Sequence, residues 1–215
     1  MILDVNNDFV IEIRGQSLFS TMEIRPRLRY RNIEDLETSH AFFKTKVPAV
    51  ASEAYLSIIF KPASPSLVAE VSKRLKLPMS VSDFYRQFNG AHLFVNALSI
   101  LGCVPKGTPL DRSDRFSLPP FDIIEVNNEL RTRLAGTNLV CLASYGFDQS
   151  LVCIERSTAE MICFVGENTS KERVRWPSFD EWLSTEVKRI SFLFDEDANR
   201  LVEKEKLLPF LPRIN

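Results

Sequence analysis

Histidine is scarce in this sequence: His40 and His92 are its only two among 215 residues. His40 falls in a predicted helix and His92 at the start of a distant predicted strand, so a two-histidine metal site would need remote segments to converge. No Cys-x-x-Cys pair is present, which removes the usual spacing for zinc or dithiol redox chemistry. There is no Gly-x-Gly-x-x-Gly, no phosphate-cradling glycine loop and no Gly-x-Ser-x-Gly elbow, so nucleotide binding and serine-hydrolase chemistry lack their signatures. An excess of one charge is missing too. The 27 Lys and Arg against 28 Asp and Glu leave a net charge of -1, with no overall pull toward nucleic acid or an anionic membrane. No apolar run approaches the roughly 20 residues of a spanning helix. MILDVNNDFVIEIRG lacks the basic start and apolar run of a secretory signal, so a cytoplasmic location and no membrane partner are expected.

What is present is the material of a globular domain. A hydrophobic share of 45% beside 26% charged residues supplies a substantial core. The cysteines are Cys103, Cys141, Cys153 and Cys163, three of them inside the apolar runs LVCLAS, LVCIE and MICFVG. Reduced, buried thiols are expected, since free cysteine packs as a small hydrophobe, and such a context argues against Cys-His catalysis. Asn168-Thr169-Ser170 matches a glycosylation acceptor but is read as a plain loop.

The first sixty residues favour β-structure. FVIEIRG and MEIRPRLRYRN alternate apolar and polar positions around Gly15, predicting a hairpin or two neighbouring strands. In the second, Ile24, Leu28 and Tyr30 share one face and Arg25, Arg27, Arg29 and Arg31 the other, while Pro26, lacking an N–H, marks an edge strand. IEDLETSHAFFK reads as a helix, and VPAVASEAYLSIIF is ambiguous between helix and strand.

From Ser64 the signals sharpen. Ser64-Pro65 supplies an N-cap and first-turn proline for SLVAEVSKRLK, where Leu67, Val71 and Leu75 recur every four residues. After Leu77-Pro78, a second helix carries Val81, Phe84, Tyr85 and Phe88 to Asn89-Gly90, residues able to adopt the left-handed conformation that closes a helix. AHLFVNALSILG follows as two short strands or one bent strand. A polar loop, KGTPLDRSDRF, leads to FDIIEVNNELRTRL, a predicted helix. LVCLAS, SLVCIE and MICFVG then suggest an antiparallel meander. Ser178 and Glu181 form a capping box for a last helix with Phe179, Leu183, Val187, Ile190 and Phe194 on one face. The tail places Leu207, Leu208 and Phe210 to pack back on the domain.

This order of pieces resembles the SUKH superfamily, which includes Smi/Knr-type yeast cell-wall regulators and bacterial immunity proteins. Leu77, Pro78, Phe84, Phe88, Asn89 and Gly90 carry the resemblance at the front, Gly146 in the meander turn, and Ser178, Phe179, Trp182 and Leu183 at the back. The resemblance implies an α+β fold, with a mixed or antiparallel sheet flanked by helices, over residues 64–195. An N-terminal β-containing extension (1–63) would pack on it, followed by a C-terminal tail (196–215). It makes Asn89-Gly90 a fold device that delivers the chain into the first core strand, with Phe84 and Phe88 packed beneath the sheet. Neither catalytic residues nor a metal or cofactor are implied.

Surface residues leave alternatives open. His92 lines a groove or is a partly exposed strand-end residue. Asp111, Arg112, Asp114, Arg115 and Asp148 rim a surface for a partner protein, where charge selects the partner and speeds encounter, or are solvated turn residues. The stripe of Arg25, Arg27, Arg29 and Arg31 guards a sheet edge, or binds phosphates or an acidic protein. The resemblance implies a non-catalytic protein-binding domain, an immunity protein that neutralises a toxin domain by stoichiometric binding. The alternatives are a regulatory module in cell-wall synthesis or signalling and, lower, a nucleic-acid-binding protein using the Arg stripe. The sequence leaves the oligomeric state open.

Overall fold

The computed structural model of the chain describes residues 2–5, 9–13, 22–26, 41–46, 55–94, 96–108, 119–166, 168–193, 201 and 209, and before residue 59 it gives the backbone alone. Strands β1 (Ile2–Val5), β2 (Phe9–Ile13) and β3 (Met22–Pro26) form a three-stranded antiparallel sheet in chain order. The two strands expected from FVIEIRG and MEIRPRLRYRN are therefore neighbours, and Pro26 ends the edge strand. Arg25 lies in β3, whereas Arg27, Arg29 and Arg31 fall outside the described residues.

The main sheet has eight strands: β4 (Ala41–Lys46), β5 (Tyr55–Phe60), β6 (Ala91–Leu93), β7 (Leu98–Ile100), β8 (Leu139–Tyr145), β9 (Leu151–Glu155), β10 (Met161–Val165) and β11 (Asn168–Trp176). Each pairs antiparallel with its neighbour in the chain. Helices α1 (Pro65–Leu75) and α2 (Met79–Gln87) are inserted between β5 and β6, α3 (Ile123–Glu129) between β7 and β8, and α4 (Phe179–Ser191) follows β11. Burial is nearly continuous along β8, β9 and β10, as it must be where both faces of a sheet are covered. The α+β fold with an antiparallel sheet agrees with the sequence; parallel geometry appears among the described residues as the isolated bridge Gly102–Asp122.

Two expectations are corrected. IEDLETSHAFFK does not end as a helix, because Ala41–Lys44 belongs to β4 and pairs with β5. Pairing with a strong β-former run, YLSIIF, overrides the local helical pattern. VPAVASEAYLSIIF resolves the same way, as a strand over Tyr55–Phe60. Asn168-Thr169-Ser170 is no plain loop but the start of β11, a fourth meander strand. NTSKERVRW hides its strand character because it is a sheet-edge strand, where charged side chains replace the apolar alternation.

The starts of α1 and α4 follow their sequence signals, Ser64 and Ser178, and α3 adds a cap at Asp122 that the sequence reading did not name. Ser64 Oγ accepts from the Leu67 N–H at 3.3 Å, Ser178 Oγ from the Glu181 N–H at 3.1 Å, and Asp122 Oδ1 from the Ile124 N–H at 2.9 Å. The α4 stripe of Phe179, Leu183, Val187 and Ile190 is buried with Trp182, and Phe179 meets Phe84 of α2 edge-on at 5.3 Å. The C-terminal tail residues Leu207, Leu208 and Phe210, and Phe194, lie outside the described residues.

Candidate functional site

The front motif closes α2 and opens β6 by two devices. Gly90 has φ +86°, and a Cβ there would stand 2.6 Å from the Ile100 carbonyl oxygen, so only glycine fits. Asn89 works through its side chain instead of a left-handed backbone. Its Oδ1 accepts from the Cys103 N–H at 2.6 Å and its Nδ2 donates to the Cys103 C=O at 2.8 Å. The amide thus replaces a strand partner just beyond β7. Asn127 on α3 does the same for Cys141, at 2.9 and 2.8 Å.

Beside Asn89 lies a cleft of about 220 Å³ walled by Lys61, Leu67, Cys103 and the prolines Pro62, Pro105, Pro119 and Pro120. Thr108 and Pro119 are also in its wall, and they flank the span holding Asp111, Arg112, Asp114 and Arg115, four residues outside the described ones.

His92 sits at mid-sheet. Tyr145 reaches α4, so its register partner Leu98, and Leu93 beyond it, share the α4 face; His92, Ser99 and Ser144 alternate to the opposite one. There His92 Nδ1 pairs with Ser99 Oγ at 3.1 Å, and the ring lies edge-on between Phe60 at 5.3 Å and Phe121 at 4.9 Å. Burial lowers its pKa to about 4, so the imidazole is neutral at physiological pH. Phe121, 57% exposed, gives this face an apolar surface beside the histidine.

At the opposite end of β6 from Gly90, the β6–β7 and β8–β9 turns meet. The Gly146 N–H donates to the Ala97 C=O at 3.2 Å, and a Cβ on Gly146 would stand 2.3 Å from the Asn96 oxygen. Asp148 is a turn former and an ion-pair partner together: Oδ1 accepts from the Ser150 N–H at 2.9 Å, and Oδ2 from Arg173 Nη2 at 3.0 Å. Behind it, the Tyr145 hydroxyl donates to Glu186, a carboxylate only 2% exposed that also receives Arg189 at 2.9 and 2.7 Å. Burial, then the nearby Glu186 charge, pushes the Tyr145 hydroxyl pKa up.

Of the predicted surface residues, the two with described side chains, His92 and Asp148, do not meet. Asn89 and the cleft mark one end of the sheet, Asp148 the other, and His92 one face between them. Cys103 and Cys163 are chemically quiet thiols, both pushed up to about 12, chiefly by burial. Among the described residues, no group of three or more His, Cys, Asp or Glu is arranged to hold a metal ion, and no helix is long and apolar enough to cross a membrane. Sequence reading missed Glu186, Asn127 and Phe121. Glu186 had a signal, since it falls on the apolar stripe between Leu183 and Val187; the other two had none.

An antiparallel meander with helices inserted at the Leu-Pro and Asn-Gly motifs and closed by a Ser-capped, Trp-bearing helix defines an α+β scaffold domain. The chain belongs to the SMI1/KNR4 family (SUKH-1), whose family model matches residues 62–185. The match runs from the chain just after β5 into α4. No curated protein matches the chain.

Proposed function

We propose that this protein is a non-catalytic binding domain that acts in the cytoplasm as an immunity protein, neutralising a toxin domain by stoichiometric binding. Family membership carries the reading, and it is equally compatible with a regulatory role. The use made of the chemistry-bearing residues supports binding over turnover. The motif residues Phe84, Asn89, Gly90, Phe179 and Trp182 are spent on the scaffold, His92 is held neutral, and the acid Glu186 is committed to Tyr145 and Arg189. The partner surface we favour is the proline-walled cleft, extended over His92 and Phe121, together with Asp111, Arg112, Asp114 and Arg115, which stand in the sequence between its wall residues Thr108 and Pro119.

Affinity capture of the tagged protein from its host, at physiological salt and with mass spectrometry of what is retained, tests this. A near-stoichiometric toxin domain is the expected result. Recovery of cell-wall or signalling proteins would transfer the same surface to a regulatory module. Joint charge reversal at Asp111 and Arg112 should lower capture about tenfold or more without moving the unfolding midpoint; unchanged capture would place the interface elsewhere.

A further inference from the structure

Cys141 and Cys153 stand directly across from each other in the β8–β9 ladder. Antiparallel ladders alternate between pairs that exchange both backbone hydrogen bonds and pairs that exchange none. The phase here is set by the Arg156 N–H, which donates to the Asn138 C=O at 3.0 Å. Stepping along the register from that bonded pair, Leu139–Glu155 is non-bonded, Val140–Ile154 bonded and Cys141–Cys153 non-bonded. Asn127 gives the same phase independently. The N–H and C=O of Cys141 are the groups it holds, so they point away from β9.

In a non-bonded pair the Cα atoms approach to about 4.5 Å, within the range of roughly 4.4–6.8 Å that a disulfide spans. Register partners share a face of the sheet, so both thiols lie on the same side of the β8–β9 ladder. Cys163 has no such partner, since it faces Val152 on one side and Val174 on the other. All four cysteines are free and buried.

We propose that Cys141 and Cys153 form an oxidisable dithiol, a modification site that a peroxide converts to an intramolecular disulfide. One sulfur attacks a peroxide oxygen, giving a sulfenic acid and one water. The second sulfur displaces the sulfenic oxygen as a second water, and the S–S bond forms. The two thiols lose two protons and two electrons, and the peroxide takes them up. Burial makes the first step wait for a local opening of the hairpin, whereas the register makes this product the favoured one. The new bond staples β8 to β9 toward the open end of the hairpin whose turn carries Asp148.

The test uses the full-length folded protein exposed to hydrogen peroxide, then denatured and alkylated, with peptide mapping by mass spectrometry. Two thiols should become protected, in a single Cys141–Cys153 linkage that dithiothreitol reverses. The Cys103→Ala and Cys163→Ala variants should give the same linkage, and Cys141→Ala should give none. Four alkylatable thiols after peroxide, or a linkage involving Cys103 or Cys163, would overturn the proposal. The wild-type map decides the matter even where a variant folds poorly.

Discussion

Asn89 holds Cys103 by both backbone groups, accepting from its N–H and donating to its C=O, across fourteen residues of chain. The pair ties the end of α2 to the segment leaving β7 and forms part of the cleft wall. Asn89→Ala leaves a part-buried N–H and C=O without their partner and should cost about 2 kcal/mol. Urea unfolding should show a lower midpoint at unchanged slope.

Two glycines with similar backbone angles should respond very differently to alanine. Gly90 has φ +86°, and a Cβ added there would meet backbone oxygens at 2.6 and 2.8 Å, while Gly107 has φ +80° and open space. Gly107→Ala should lose about 1 kcal/mol from its backbone alone. Gly90→Ala must also displace strand β7 and should lose at least about 3 kcal/mol. Thermal unfolding of the two variants checks the contrast; equal losses would mean that strand β7 yields freely.

His92 makes stability depend on pH. Its ordinary value is 6.5 and burial lowers it to about 4 in the folded chain. Between those values the unfolded chain binds more protons, so stability is fully present above about 6.5 and is lost as pH falls toward 4. The loss from this residue is at most roughly 3 kcal/mol. His92→Gln should flatten that part of the stability profile, and an unchanged slope would show that other groups set it.

The Tyr145–Glu186 contact joins β8 to α4 inside the core. Tyr145→Phe should cost about 1–2 kcal/mol, because it removes the donor of a charge-assisted bond and leaves the carboxylate short of a partner. Glu186→Gln should cost about as much by weakening the Arg189 pair. A double-mutant cycle should give a coupling of about 1 kcal/mol or more, and additive losses would argue against a direct bond.

Legibility in the sequence tracked how local each signal was. Ser64 and Ser178 cap neighbouring turns, so the starts of α1 and α4 could be read from a few residues. The runs LVCLAS, LVCIE and MICFVG announced their strands because burial on both faces makes them continuously apolar. β11 and β4 were hidden, since an edge strand draws its identity from the strand it joins. The role of Asn89 was equally illegible: a turn-forming dipeptide was visible, but its hydrogen bonds to Cys103 depend on how the chain returns. The candidate surface suffered most, because Phe121 over His92 and Arg173 against Asp148 are meetings of distant segments.

The strand order of the main sheet runs in step with the chain from β4 to β11. Every ladder is therefore made between consecutive strands, and none waits for a late strand to be threaded between two early ones. Assembly can proceed by successive additions at a growing margin, which keeps loop closure modest for so large a sheet. The same order confines loss or replacement of the first strands to one margin, leaving the ladders from β6 to β11 intact. An ancestral domain could thus change its opening segment without re-inventing the scaffold that follows.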